Sequence, residues 1–112
     1  MIKRSDLLKK ICIACEGKGI KPFDKIKAQE YLGQVEGWVS DKDFIKISKE
    51  YKFKDFIGAM NFVNHVAEIA EGEGHHPDIK INYNKVKLIL STHAIGGLSE
   101  NDFILAAKID AS

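Results

Sequence analysis

The sequence predicts an α+β fold, a two-layer domain in which a four-stranded antiparallel sheet packs its helices on one face. Two stretches of alternating apolar and polar residues each read as a pair of strands, and each pair is followed by a helical pattern. The resulting order, helix-β-β-α-β-β-α, puts neighbouring strands next to each other, which favours antiparallel pairing. A chain of 112 residues supports one domain, spanning 1–112.

The first half of the chain supplies the first helix and the first strand pair. Residues 1–22 are rich in lysine and glycine, so we expect a loosely held N-terminal arm with at most one helical turn. Asp24 is a good N-cap for a short helix that ends near Gly33. After Trp38, the run 44–51 alternates with period two and predicts a half-buried strand with Ile45, Ile47 and Tyr51 on one face.

A helical pattern follows from Phe53 and extends for about 19 residues. Its apolar positions form a broad stripe: Phe56, Met60, Val63, Ala67 and Ala70, widened by Ala59, Phe62, Val66 and Ile69. Gly72 and Gly74 end this helix, and Pro77 prevents it from resuming. It is the longest predicted element and the expected centre of the core.

The second half predicts a β-hairpin and a final helix. Residues 79–83 alternate, Asn84-Lys85 is a short turn, and 86–93 places Val86, Leu88 and Leu90 on one face. Ser99 caps the last helix, and Asp102 three residues later completes a variant of the capping box.

Composition excludes several classes of function. The formal net charge is +1, so no global field directs the protein to nucleic acid or to a membrane surface. No apolar run is long enough to cross a bilayer and the N-terminus lacks the apolar core of a signal peptide, so we expect a cytoplasmic protein. Arg4 is the only arginine among 17 basic residues, which argues against a heavily phosphorylated ligand.

Cys12 and Cys15 form a CxxC motif without a second cysteine pair or adjacent histidines. Structural zinc sites normally need four ligands, and a redox site would be followed by a βαβ pattern. We therefore expect reduced, partly buried side chains rather than a metal or redox centre.

Three of the four histidines lie between His75 and Asp102, and they are the candidates for chemistry. Imidazole gives and takes protons near neutral pH, so several together make a natural acid–base site. His75 and His76 leave the long helix where one hairpin strand starts, and His93 lies where the other ends. Antiparallel pairing would bring His76 and His93 to roughly 5 Å, one interstrand distance. Glu71 and Asp102 border the same end.

These residues resemble the signature of the pterin-4a-carbinolamine dehydratases: Glu71, His75-His76-Pro77, Tyr83, His93 and Asp102, with LSTH, GLSEND, FKDF and VEGW around them. The similarity runs from about residue 6 to the C-terminus. It implies dehydration of a 4a-hydroxytetrahydropterin to the quinonoid dihydropterin, which recycles the cofactor of aromatic amino acid hydroxylases. It also implies a reduced pterin as substrate, no metal and no organic cofactor.

The resemblance also implies roles for individual residues. His75 and His93 would be the proton-transfer pair, with the acid and the base unassigned. His76 would bind or polarise the pterin, Glu71 would help position or tune the leading histidine, and Asp102 would orient an imidazole. Pro77 belongs to the same motif as a supporting residue.

Two positions depart from the family pattern. Ile79 stands where tryptophan is common, and Gly74 stands where an acidic residue often precedes the histidines. Loss of an aromatic wall at residue 79 would weaken stacking on the flat pterin.

Other interpretations remain open. The same fold could act as a protein-interaction or dimerisation module with little activity, using the long helix or a sheet edge. The three histidines and Glu71 could instead bind a divalent metal. The broad apolar stripe predicts self-association, and the resemblance implies a homodimer or homotetramer.

Overall fold

The computed structural model describes residues 2–12 and 21–112 and has the predicted α+β architecture. The elements, in chain order, are α1 (Arg4–Lys9), α2 (Lys25–Leu32), β1 (Val39–Ser40), β2 (Ile47–Lys52), α3 (Phe56–Glu73), β3 (Asp78–Asn82), β4 (Lys85–Leu90) and α4 (Glu100–Ala111). A 3-10 turn, His93–Ile95, connects β4 to α4. The predicted order is confirmed, with α1 as an additional helix before it.

The four strands form one antiparallel sheet in the order β1-β2-β4-β3. One face carries the buried side chains Ile47, Val86, Leu88 and Leu90, and it forms the core with α4 and the inner side of α3. The pleat places Ser48, Lys80, Lys87 and Ile89 on the opposite face. We call this second surface the open face.

Helix α4 lies at the centre of the core. Residues Phe103 to Ala107 are all fully or almost fully buried, because α1 and α3 both pack against this helix. Near its C-terminal end, the Asp110 carboxylate accepts hydrogen bonds from Trp38 Nε1 at 2.8 Å and from Tyr51 OH at 2.6 Å. These bonds tie α4 to the strand layer, and burial together with the Asp110 carboxylate raises the pKa of Tyr51.

Only part of the apolar stripe predicted for α3 is buried. Ala59, Val66 and Ala70 form the buried line, whereas Phe56 is 47% exposed and Ala67 is exposed. Apolar residues occur on several sides of the helix, so periodicity alone does not identify its inner face. The face that packs inward carries the smaller side chains Ala59, Val66 and Ala70, which allow close packing. No helix in the described ranges is long and apolar enough to span a membrane.

The strand boundaries also shift. The β2 strand begins at Ile47, so Ile45 lies outside it and is 43% exposed. Tyr83 is in the hairpin turn rather than in the strand, with φ of 53°, and is 64% exposed. Asn82 pairs with Lys85, which makes Tyr83-Asn84 the two-residue turn in place of the predicted Asn84-Lys85.

The described part of the N-terminal arm, residues 2–12, contains a docked helix. Helix α1 packs on α4, and Leu7 is completely buried between them. Of the two cysteines in the CxxC motif, Cys12 is half-buried and Cys15 lies outside the described residues.

Leu7 should therefore contribute to global stability. We expect Leu7→Ala to lower the free energy of unfolding by about 2–5 kcal/mol, the usual cost of truncating a buried leucine. Its neighbour Leu8 is 37% exposed, so Leu8→Ala is the matched control and should cost less than about 1 kcal/mol. Equal losses in urea denaturation for the two variants would show that α1 is not docked.

Candidate active site

The carboxylate of Asp102 is the most deeply buried charged group near the candidate histidines. It has no exposed surface, yet it sits on the first turn of α4 as the acidic member of the capping box begun by Ser99. Oδ2 accepts hydrogen bonds from Thr92 Oγ1 at 2.8 Å and from the Ser99 backbone N–H at 3.0 Å. Oδ1 faces His75 Nε2 at 2.6 Å. The carboxylate therefore caps a helix and holds an imidazole at once.

The hydroxyl groups around Asp102 form a chain with a fixed direction. Thr92 Oγ1 lies 2.7 Å from Ser99 Oγ, and Thr92 gives its only hydrogen to the carboxylate. Ser99 must then donate to Thr92, while Ser99 Oγ accepts from the Asn101 N–H at 3.3 Å. No buried side-chain nitrogen or oxygen within the described ranges is left without a partner.

His75 reaches Asp102 because of how α3 ends. Gly74 adopts a left-handed conformation, with φ of 66° and ψ of 24°, and the His75 N–H bonds back to the Ala70 carbonyl at 3.2 Å. This conformation strains residues with a Cβ atom, so glycine suits this position. The His75 side chain is only 13% exposed. Nε2 is the ring nitrogen directed at the carboxylate, so Nδ1 is the one directed away from Asp102.

A second carboxylate fixes the end of α3. Glu73 Oε2 lies 2.8 Å from Lys108 Nζ on α4, and Glu73 Oε1 accepts the Cys12 backbone N–H at 3.0 Å. Burial opposes ionisation of Glu73, but the bonds from Lys108 and Cys12 outweigh it and hold its pKa below the ordinary value. We call these three residues the Glu73 clamp. It joins α3, α4 and the N-terminal segment two residues before His75.

Cys12 is not a reactive thiol in this environment. Burial, reinforced by the Glu73 carboxylate, raises its pKa to about 12, so the thiol stays protonated at neutral pH.

His76 and Glu71 form a separate, exposed pair. His76 Nε2 lies 2.8 Å from Glu71 Oε1, and the side chains are 62% and 81% exposed. Glu71 therefore contacts His76 rather than the leading histidine, whose side chain faces Asp102. Pro77, half-buried, follows immediately and leads into β3.

His93 lies apart from these two pairs. It opens the 3-10 turn after β4 and is exposed. Its carbonyl accepts the Gly96 N–H at 3.2 Å, but its imidazole has no hydrogen-bond partner among the residues described. It lines a hollow of about 390 Å³ together with Ile45, Lys46, Asp78 and Lys80. We call this the His93 hollow. Neither His75 nor His76 is among the described residues that line it.

The hairpin does not pair His76 with His93 as predicted. The β3–β4 ladder ends at Asp78 opposite Ile89, and Thr92 instead bridges to Gly97. The 3-10 turn then carries His93 out of the strand direction. Within the described ranges, no three His, Cys, Asp or Glu side chains are grouped closely enough to hold a metal ion.

Sequence reasoning missed Thr92 and Glu73. Thr92 had no signal of its own beyond being a polar residue next to His93. Glu73 did have one: it follows Ala59, Val66 and Ala70 at spacings of seven, four and three, so an acidic residue continues the buried line of α3.

Comparison with known proteins gives the family. The model of the pterin 4 alpha carbinolamine dehydratase family matches residues 21–112. The chain belongs to this family.

Individual relatives agree over nearly the whole chain. A protein of Halorhodospira halophila named as a pterin-4-alpha-carbinolamine dehydratase is 49% identical over 105 residues, which are 94% of this chain and 95% of the relative. The mitochondrial pterin-4-alpha-carbinolamine dehydratase 2 of Arabidopsis thaliana is 45% identical over 95% of this chain and 58% of its own length.

A solved structure supports the same fold. The transcriptional coactivator/pterin dehydratase from Brucella melitensis superimposes with a TM-score of 0.76 at 33% identity, over 81% of this chain and 97% of that protein. The predicted fold class is confirmed.

The hydroxyl chain to Asp102 makes Thr92 a sensitive position in this family member. Thr92→Val keeps the shape but removes a donor from a buried carboxylate, so we expect a loss of about 1–3 kcal/mol in the free energy of unfolding. Ser91→Ala is the control, because Ser91 Oγ donates to the Ile45 carbonyl at an exposed position. Thermal or urea unfolding in which Thr92→Val is no worse than Ser91→Ala would contradict the network.

The Glu73 clamp predicts a specific pH dependence. Because the pKa of Glu73 is lowered by folding, its contribution to stability is complete above the ordinary value of 4.5 and is lost as pH falls through the folded pKa. Glu73→Gln should cost about 1–3 kcal/mol at pH 7, in the range for hydrogen bonds to charged groups. The difference from wild type should shrink below pH 4.5.

The control for this measurement is Glu68→Gln, the same change at an exposed position of the same helix. A Glu73→Gln difference that stays constant from pH 7 to pH 3, or a Glu68→Gln effect of equal size, would rule out the charged clamp.

Proposed function

We propose that this chain dehydrates a 4a-hydroxytetrahydropterin to the quinonoid dihydropterin, within the recycling of a tetrahydropterin cofactor. The observation that carries the proposal is the 2.6 Å contact between His75 Nε2 and the buried Asp102 carboxylate, in a chain that belongs to a dehydratase family. That contact holds an imidazole in one orientation and one tautomer, as acid–base work requires.

The proposed reaction needs two proton transfers. The bond between C4a and the hydroxyl oxygen breaks, and the hydroxyl leaves as water after receiving a proton from an acid. A base removes the proton from a ring nitrogen, and the electrons of that N–H bond form the new C=N double bond. The net change is the loss of one water molecule, so no oxidant, reductant or electron-carrying cofactor is part of the proposal.

We assign the proton transfers to His75 and His93. His75 would act through Nδ1, since Nε2 is engaged by Asp102. His93 would act in the His93 hollow, where its exposed ring has room for a ligand. Which of the two is the acid is left open by the proposal. Asp102 is a positioning residue, because it acts through His75.

The remaining residues of the motif would bind rather than react. His76, held by Glu71, presents an imidazole at the exposed side of the α3 exit and would bind the pterin by hydrogen bonding. Pro77 would keep the exit rigid between α3 and β3. Ile79 is half-buried against the core, so this position offers no aromatic face to the pterin.

Single replacement of the two proposed proton-transfer residues tests the assignment. We expect His75→Ala and His93→Ala each to lower kcat for 4a-hydroxytetrahydropterin dehydration by about 10²–10⁴-fold, the usual share of general acid–base catalysis. Decay of the carbinolamine can be followed by its ultraviolet absorbance. His76→Ala should raise KM more than it lowers kcat.

His65→Ala is the control, because His65 lies on α3 and its imidazole hydrogen-bonds, among the described residues, to Ser112 Oγ at 2.7 Å rather than to a residue of the motif. Wild-type rates in both His75→Ala and His93→Ala would overturn the proposed pair, and absence of turnover in the wild type would overturn the reaction.

A second candidate function is a protein-interaction module, and the first partner to consider is another copy of the chain. Phe56 and Ile57, at the start of α3, are 47% and 66% exposed next to each other. The similar protein of Brucella melitensis is named a transcriptional coactivator as well as a pterin dehydratase. We propose that this exposed α3 start is buried in a homodimer or homotetramer.

Replacing both residues should therefore change the assembly. We expect the Phe56→Ser/Ile57→Ser double variant to shift sedimentation velocity from an oligomer toward the 12.5 kDa monomer. Ile26→Ser is the control, since Ile26 is 79% exposed on α2. A monomeric wild type, or an unchanged oligomer in the double variant, would contradict this surface.

A further inference from the structure

The open face of the sheet holds a second hollow beside the His93 hollow. It has a volume of about 280 Å³ and is lined by Asp41, Lys46, Ser48, Lys80 and Lys87 among others. Lys46, Lys80 and Ile89 line both hollows, so the two are adjoining parts of one groove. We call the second part the lysine hollow.

Two lysines of this groove lie directly opposite each other on neighbouring strands. Lys80 and Lys87 are direct cross-strand partners on β3 and β4, with both side chains on the open face. Like charges in directly opposed positions destabilise a sheet. Within the described ranges, neither these two residues nor Lys46 has an ion-pair partner within 4.0 Å.

The acidic groups nearby offset only part of the charge of the lysine hollow. Asp78 lines the His93 hollow but not the lysine hollow. Asp41, whose Oδ1 accepts the backbone N–H groups of Ile45 and Lys46, is the one described acidic residue that lines the lysine hollow, against three lysines. Glu50 is the cross-strand partner of Lys87 on β2 and does not line either hollow. The groove is therefore cationic at the end away from His93.

We propose that the lysine hollow binds a single anionic group, a phosphate monoester or a carboxylate, on the side chain of the reduced pterin. This inference rests on the proposed function, because it assumes that the ring lies at His93. Lysine ammonium groups attract such an anion as point charges, without the bidentate geometry that arginine would provide. The preferred substrates would then be 4a-hydroxytetrahydropterins with an anionic tail rather than a neutral one.

The test compares three substrates that differ only in the substituent at C6 of the pterin: a neutral dihydroxypropyl group, its phosphate monoester, and a glutamate-bearing side chain. At low ionic strength we expect kcat/KM for at least one anionic substrate to exceed that for the neutral one by about fivefold or more, as one or two exposed ion pairs would give. The preference should fall as salt is added, because salt screens exposed charges. Preference for the phosphate, the glutamate or both identifies the source of the anion.

The Lys80→Met/Lys87→Met double variant should reduce this preference to near unity. Its control is Lys52→Met/Lys85→Met, which removes the same charge from another cross-strand lysine pair, lining neither hollow. The control should keep the wild-type preference. Equal kcat/KM for all three substrates, or a preference that survives in the Lys80/Lys87 variant, would overturn the subsite.

A binding measurement separates failure of the subsite from failure of the proposed reaction. Quenching of pterin fluorescence reports the affinity for the fully oxidised phosphate ester and for its neutral counterpart without any turnover. If no substrate is turned over, the dehydratase proposal fails. Tighter binding of the phosphate ester that is lost in Lys80→Met/Lys87→Met would still support the subsite, and equal binding would overturn it.

Discussion

The structure around the candidate site depends on supplying hydrogen-bond partners to the Asp102 carboxylate, which is completely buried. Burying an isolated carboxylate costs several kcal/mol, and only well-placed donors and opposite charge offset this. Asp102 has Thr92, the Ser99 N–H and His75 within 3.0 Å, and it lies at the N-terminus of α4, where the helix dipole favours negative charge. The Asp102 side chain thus accepts the Ser99 N–H in the capping box of α4 and also holds the imidazole that we assign to catalysis.

This arrangement couples the site to the whole fold. Helix α4 is held near its C-terminal end by the bonds from Trp38 and Tyr51 to Asp110, while the Glu73 clamp joins its outer side to α3 and the N-terminal segment. His75 follows the clamp by two residues, so the distance between His75 and Asp102 is set by the packing of two helices rather than by a loop. The His76–Glu71 pair and the His93 side chain are instead exposed.

Much of the fold could be predicted because local signals and the global arrangement agree. The caps at Asp24 and Ser99 and the period-two pattern of β4 each specify one local structure. The inner face of α3 was not predictable from periodicity, because large apolar side chains surround the helix. Docking of α1 depends on the single buried Leu7, which no pattern in a lysine-rich segment distinguishes from Leu8.

The candidate site was predictable in its residues but only partly in its contacts. The capping position of Asp102 and its link to an imidazole were both foreseen, and both are present in one side chain. Which carboxylate contacts which histidine could not be predicted. The left-handed conformation of Gly74 changes the direction of the chain, and residue spacing does not encode that change. The 3-10 turn likewise moves His93 away from the strand position that alternation predicted.

The most direct test of the central claim is the tautomer of His75, read by long-range ¹⁵N–¹H NMR correlation on labelled protein near pH 8. If Asp102 holds the ring, His75 gives a single tautomer with hydrogen on Nε2, while the exposed His93 shows the averaged signals of a free imidazole. An averaged His75, or a hydrogen fixed on Nδ1, would contradict the account.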